Sequence, residues 1–303
     1  MLFLKLKLFI KKYFIALILF GTGIATAEII EVDSLDKINQ DFEEIYNKDY
    51  LPQDMLVVIG LDKLIFKSLL PSASALGQEG YSKLLPIFKK IKPQSKQVYI
   101  DQLLLVDYKQ ELADTALPNF IKIISNNNIA IIAVSKNFTG NFNNIPTLEI
   151  WLADYLKKNF DIDFSRSFSQ SNYIIFNNLR SFDNTYPVFY KGILSSNNTP
   201  QAELILNFLI EVKFMPKILI AISSDEELLG SMQAQLSSYN SNIAYTGYHY
   251  VTADQENDNE KNLAYYTKFF NNLVNKVNKV QRTNSPTKTN KQNNKNPYDG
   301  TLN

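Results

Sequence analysis

Apolar residues along this chain follow two different spacings. Three short runs, "DMLVVIGL" from Asp54, "NIAIIAVSKN" from Asn128 and "PKILIAISS" from Pro216, are almost unbroken and have strand length. Such runs fit strands buried on both faces, as in a parallel sheet covered by helices. A fourth, "NIAYTGYHYV" from Asn242, is of the same length but carries more hydroxyls. Between them, apolar residues recur at helical spacing. Leu35, Ile38, Phe42 and Ile45 make one such face, after a strand-like "EIIEV". "LADTALPNFIKIISNNN", "TLEIWLADYLKKN" and "EELLGSMQAQLSSYN" make three more. In "TPQAELILNFLIEVKF" the pattern predicts Thr199 as N-cap and Pro200 at the first helical position.

Strands that alternate with helices predict an α/β fold, a Rossmann-like parallel sheet flanked by helices. "YIIFNNL" and "YPVFYKGIL" read as a hairpin pair at its margin. Residues 68–128 are mostly helical in pattern and punctuated by Pro71, Pro86, Pro93 and Pro118, which predicts a helical cap or insert. The main domain is expected over 28–255. A last helix follows over 256–281, with Leu263, Phe270, Leu273, Val277 and Val280 on one face. The tail from Arg282 to Asn303 is Asn, Lys, Thr and Pro with almost nothing to bury, and is expected to be disordered.

Residues 1–27 are set apart from the fold. Lys5, Lys7, Lys11 and Lys12 precede the apolar "YFIALILFGTGI", and "ATA" ends at Ala27 in a small-x-small pattern, the layout of a signal peptide. The apolar run falls short of the about 20 residues a spanning helix needs. The expectation is an exported protein, periplasmic or secreted, with no membrane span after cleavage. From Glu28 onward the chain holds 27 basic against 30 acidic residues, a net of −3. That is no footprint for nucleic acid. With no cysteine in the sequence, disulfides, thiol catalysis, thiolate metal sites and a lipoprotein anchor are all excluded. One histidine, His249, excludes histidine-rich metal sites. No phosphate loop, dinucleotide fingerprint or calcium loop is present.

Ligands of a parallel sheet bind at the carboxyl ends of its strands. The three pure runs end at Gly60 with Asp62, at Ser135, and at Ser223 with Ser224. In order and spacing, residues 30–255 resemble the haloacid-dehalogenase-like superfamily of phosphohydrolases, and an exported branch of unassigned function in particular. "YKGILSSNNTPQAELILNFL", "PKILIAISSDEELLGSM" and "YTGYHYV" carry the resemblance best. That superfamily needs a carboxylate nucleophile to attack phosphorus. A second acid two positions on serves as general acid and base. A strand-end hydroxyl and a lysine hold the phosphoryl group, and further acids hold Mg²⁺.

Carried over position by position, the resemblance places Gly60 where the nucleophile belongs and Gln201 where the lysine belongs. Ser223 and Ser224 fall where the metal acids belong. Only Asp62 and Ser135 keep the required chemistry. The first expectation is therefore a degenerate, non-catalytic member used as a binding or structural module, with no cofactor. Its partner is left open, another protein being one candidate. The alternative is a metal-dependent phosphohydrolase with a rebuilt site, using Asp62 with Asp225 or Glu226 and Mg²⁺.

Each residue also has an ordinary structural role open to it. Asp62 suits a turn after a strand, and Ser135 a polar strand end. Asp225, Glu226 and Glu227 suit the first turn of a helix, where the dipole favours acids. Lys191 reads as a solvated strand-end lysine, or as a replacement for the missing one. His249 reads as packing among tyrosines, since no G-x-S-x-G nucleophile turn accompanies it. Trp151 reads as helix core.

Overall fold

The structure, a computed structural model, describes residues 28–46, 51–62, 64–69, 73–251 and 263–282. The expected signal peptide and the tail beyond Arg282 lie outside the described residues.

Among the described residues, eight strands form one sheet in the order β1-β8-β7-β2-β3-β6-β5-β4. These are β1 (Glu28–Val32), β2 (Met55–Gly60), β3 (Ala130–Ser135), β4 (Tyr173–Ile175), β5 (Val188–Tyr190), β6 (Ile193–Ser195), β7 (Ile218–Ser223) and β8 (Ala244–Tyr250). From β1 across to β6 every pairing is parallel, and β5 and β4 close that margin antiparallel. The mostly parallel α/β architecture expected from the apolar runs is thus present. "YPVFYKGIL" turns out to be two strands, β5 and β6, joined through Lys191 at φ 46° and Gly192 at φ 83°. Two successive positive φ values make the primed turn that suits a tight hairpin. Glycine is required at 192, because a Cβ there would lie 2.2 Å from the Phe164 carbonyl oxygen.

Helices cover both faces. On one side lie α1 (Leu35–Tyr46), α4 (Leu117–Asn126) and α5 (Leu148–Phe160); on the other lie α6 (Gln201–Glu211) and α7 (Glu226–Tyr239). The strand residues divide by parity. Val57, Ile59, Ile131, Ala133, Ile220 and Ile222 enter the core with α1, α4 and α5. Leu56, Val58, Ile132, Val134, Leu219 and Ala221 enter the core with α6 and α7. Unbroken apolar runs are what such a doubly covered sheet demands. Helix α6 begins at Gln201 with Pro200, not Thr199, in the capping position, so it starts one residue later than the sequence pattern suggests.

The chain leaves the sheet layer after β2 and returns beside itself. Phe66 bridges Leu112 antiparallel, with Lys67 N donating to Glu111 O at 2.9 Å and Ala113 N to Ile65 O at 2.8 Å. Between these crossing points lie α2 (Ala73–Phe88), a short 3-10 turn (Gln94–Tyr99) and α3 (Ile100–Asp107). This excursion is shorter than the expected 68–128, because Leu117, Phe120, Ile121 and Ile124 of α4 pack on the sheet. The last helix, α8 (Leu263–Lys279), joins the excursion. Its Tyr266, Phe270, Leu273, Val274 and Val277 share a third core with Leu84, Ile87, Ile91, Leu103 and Leu104. Phe138, Phe142 and Leu148, which follow β3, complete that core and seat the cap at the carboxyl end of the sheet. Among the described residues, no helix is long and apolar enough to cross a membrane.

Phe270 is buried, with its ring centroid 4.9 Å from that of Phe88 and 5.6 Å from that of Phe269. Phe270→Ala is expected to cost about 3–5 kcal/mol. Because this core is separate from the sheet, limited proteolysis of the variant in urea should cut the cap before the sheet layer.

Candidate functional site

The sheet reverses its winding between β2 and β7. From β2 the chain goes to β3 and β6 on one side, and later to β7 and β8 on the other. A crevice at the strand ends of such a switch point is where open α/β sheets bind ligands. Gly60 ends β2, and the Leu61 N–H then donates to Val134 O at 2.8 Å, holding the turn that carries Asp62 against β3. Ser135 ends β3, Ser223 ends β7, and Gln201 opens α6.

These elements converge on the Asp62 carboxylate. Oδ1 accepts from Ser135 Oγ at 3.2 Å and from the Lys136 N–H at 3.2 Å; Oδ2 accepts from the same N–H at 3.0 Å and from Gln201 Nε2 at 3.0 Å. Ser224 Oγ donates to the Asp62 carbonyl at 3.0 Å. Burial raises the Asp62 carboxyl above its ordinary range. Against burial work the Lys136 N–H, the Lys136 charge, Gln201 and Ser135, in that order. The desolvation of the charged form outweighs them.

Lys136 ties this group to α7. Its Nζ lies 2.7 Å from Asp225 Oδ2. Asp225 is the N-cap of α7, and its Oδ1 accepts from the Leu228 N–H at 3.2 Å. Burial disfavours the Lys136 ammonium, but the hydrogen bond and charge of Asp225, with Asp62 and Glu227 behind it, leave its pKa above the ordinary lysine value. Burial likewise disfavours the Asp225 carboxylate; Lys136 and the N–H groups of Leu228 and Glu227 outweigh it and hold the pKa below the usual range.

Gly60 is packed against Ser223. A Cβ at residue 60 would lie 2.6 Å from Ser223 Oγ, 3.0 Å from its Cβ and 3.5 Å from Leu228 Cδ2. The hydroxyl is not free to swing aside without loss, since it accepts the Asp225 N–H at 3.0 Å. The space a side chain would need at the end of β2 is therefore filled.

The structure thus brings together Gly60, Asp62, Ser135, Gln201, Ser223 and Ser224. Asp225 joins them through Lys136, while Glu226 is exposed on the first turn of α7. Lys191 is elsewhere, at the amino end of β6, with Nζ 3.6 Å from Asp154 Oδ1. His249 stands on β8, in register with Ser223 on one side and Glu31 on the other. Trp151 packs against the sheet core and stacks on Tyr155 at 4.8 Å. Lys136 is the site residue that sequence reasoning passed over. Its signal is its position, directly after the strand-end serine in "AVSK". Among the described residues, no three His, Cys, Asp or Glu side chains converge as metal ligands.

A second polar group fastens the cap. Arg282 Nη2 donates to Thr139 O at 2.6 Å, and Nη1 lies 3.6 Å from Asp183 Oδ2, which accepts from Tyr99 Oη at 2.5 Å. Burial, then the bond to Asp183, pushes the Tyr99 phenol up to about 12.

Comparison with known proteins points to one family. The family described as "Protein of unknown function (DUF2608)" matches residues 31–282. An uncharacterized protein of Rickettsia conorii is 58% identical over 292 residues, 95% of this chain and 98% of that one. Uncharacterized proteins of Rickettsia bellii and Rickettsia prowazekii are 56% and 55% identical, each over 95% of this chain and 98% of their own length. No solved structure matches the chain.

The raised Asp62 pKa has a defined sign. The native state keeps this proton to higher pH than the unfolded chain does, so the group's contribution to stability is complete below about pH 4. It declines as pH rises to the folded value. Asp62→Asn removes the decline, since an amide has no proton to lose in this range; Gln201 can turn its own amide over to accept from the new one and keep the contact. Melting temperatures recorded against pH should show the variant gaining on the wild type upward from about pH 4; parallel curves would contradict the assignment.

Proposed function

The chain belongs to the DUF2608 family, and from the geometry at its strand ends we propose that it is a non-catalytic, haloacid-dehalogenase-like protein. It is exported and serves as a binding or structural module. The observation that carries this reading is the contact between Gly60 and Ser223. The strand end that would need to present a carboxylate to phosphorus has no side chain, and the neighbouring hydroxyl occupies the room for one. Without that carboxylate no acyl-phosphate forms, and the covalent route is closed.

Supporting it, Asp62 is engaged as a brace. Both of its oxygens accept hydrogen bonds from within the chain. Gln201 contributes an amide where a phosphate-holding lysine would contribute charge. Ser223 and Ser224 contribute hydroxyls where metal acids would stand, and both are engaged, one with Asp225 and one with Asp62. Each of these residues completes a structural contact, and together they keep the fold's strand ends joined.

Two measurements test the reading. Hydrolysis of p-nitrophenyl phosphate by residues 28–303, with and without Mg²⁺, should not exceed that of an Asp62→Asn control. Turnover that requires both Mg²⁺ and Asp62 would sink the proposal. The steric argument is tested separately by a double-mutant cycle in urea denaturation. Gly60→Ala should cost about 1–3 kcal/mol alone and markedly less in a Ser223→Gly background, with a coupling of at least about 0.5 kcal/mol.

A further inference from the structure

Directly after β3, five successive backbone N–H groups, from Lys136 to Gly140, each donate to a side chain. The Lys136 N–H goes to the Asp62 carboxylate and that of Asn137 to Ser135 Oγ at 3.2 Å. Phe138 donates to Gln102 Oε1 at 3.2 Å, Thr139 to Asn197 Oδ1 at 3.3 Å and Gly140 to Glu149 Oε2 at 2.8 Å. The acceptors come from the turn after β2, the end of β3, α3 of the cap, the loop after β6, and α5. Ser135, Gln102, Asn197 and Glu149 are buried. The cap grips the same segment a second time. The Phe138 ring stacks on Phe182 at 5.1 Å, meets Tyr99 edge-on at 5.5 Å, and lies 5.1 Å from the Arg282 guanidinium. Arg282 Nη2 donates to the Thr139 carbonyl at 2.6 Å.

We propose that residues 136–140 are a strap that couples the seating of Arg282 and α8 to the Asp62 cluster, so that loosening either end loosens the whole segment. In a helix or a sheet, losing one side chain leaves the backbone ladder standing. This segment has no such ladder. Its N–H groups depend on side chains that belong to the strand ends at one end and to the cap at the other, and the stretch between them is too short to move in parts. A partner that displaced α8 would therefore be felt at the strand ends. By linkage, a ligand at the strand ends would change the hold on α8 by the same factor. The inference goes beyond the proposed function and holds whether or not the strand ends turn over phosphate.

Residue-resolved hydrogen exchange on residues 28–303 tests the strap from both ends. Thr139 is buried, and Arg282→Ala takes a charged donor from its carbonyl. Such a loss corresponds to at least about tenfold in a local opening constant. The increase is expected at Phe138 and Thr139, and equally at Lys136 and Asn137. Arg282→Lys, which keeps the charge without the planar fork, is a milder second variant with the same expected pattern. From the other end, Asp62→Ala should speed the amides of Phe138 and Thr139 along with that of Lys136. Lys276→Ala is the control. It frees α8 from Asp107, 2.9 Å away, without touching the strap, and should leave 136–140 at the wild-type rate. Val57 and Ile220 report the sheet and should stay unchanged in every variant. Faster exchange confined to the altered end would overturn the inference. So would an equal effect from Lys276→Ala, which would mean a general loosening of the cap.

Discussion

Asp62 stands where four pieces of chain meet. It follows β2, accepts from the end of β3 and the start of α6, and receives Ser224 from the end of β7 on its carbonyl. A parallel sheet has no short connections between adjacent strands, so its carboxyl ends must be held by contacts of this kind or by packing alone. Here one carboxylate, whose pKa burial raises, collects donors from the end of β3 and the start of α6. Ser135 and Gln201 are buried, and leaving such a donor unpaired costs more than the bond itself contributes.

The ion pair from Lys136 to Asp225 extends this network to the first turn of α7, and Asp225 in turn fixes Ser223, whose hydroxyl lies over Gly60. The chain of contacts runs from a charge to a rotamer to a missing side chain. It explains why glycine at the end of β2 is compatible with a well-packed sheet. The strand end keeps its backbone pairing, with the Leu61 N–H on Val134, and the neighbouring serine supplies the volume. Above this end the cap is made of two segments distant in sequence. The excursion after β2 has an apolar face that α8 covers, and Arg282 and Tyr99 meet at Asp183 to fasten both to the sheet layer.

Much of this was legible in the residues. The unbroken runs at 54–61, 128–137 and 216–224 are strands of a parallel sheet, because only double burial removes the need for alternation. Gly60, Asp62, Ser135, Gln201, Ser223 and Ser224 were singled out at strand ends and helix starts, and they do meet. Lys136 was missed because a lysine after a strand reads as solvated, and periodicity carries no information about which carboxylate an ammonium will face. The cap's limit was overestimated because α4 has an apolar face that suits a cap or a sheet equally well. Only the return crossing at Phe66 and Leu112 separates the two. Residues 256–281 showed an amphipathic helix, but not what it covers.

The sequence by itself determined the class of fold, the strand ends that could carry chemistry, and the absence of thiol or histidine-rich sites, since these depend on local period and residue type. Only the tertiary structure decided that Ser223 fills the space beside Gly60, that Lys136 joins Asp62 to Asp225, and that α8 belongs to the cap. Those facts depend on distances between residues 60 and 223, 136 and 225, or 88 and 270, far apart in the chain. Such distances are set when the two faces of the sheet and the cap each close around their own apolar core.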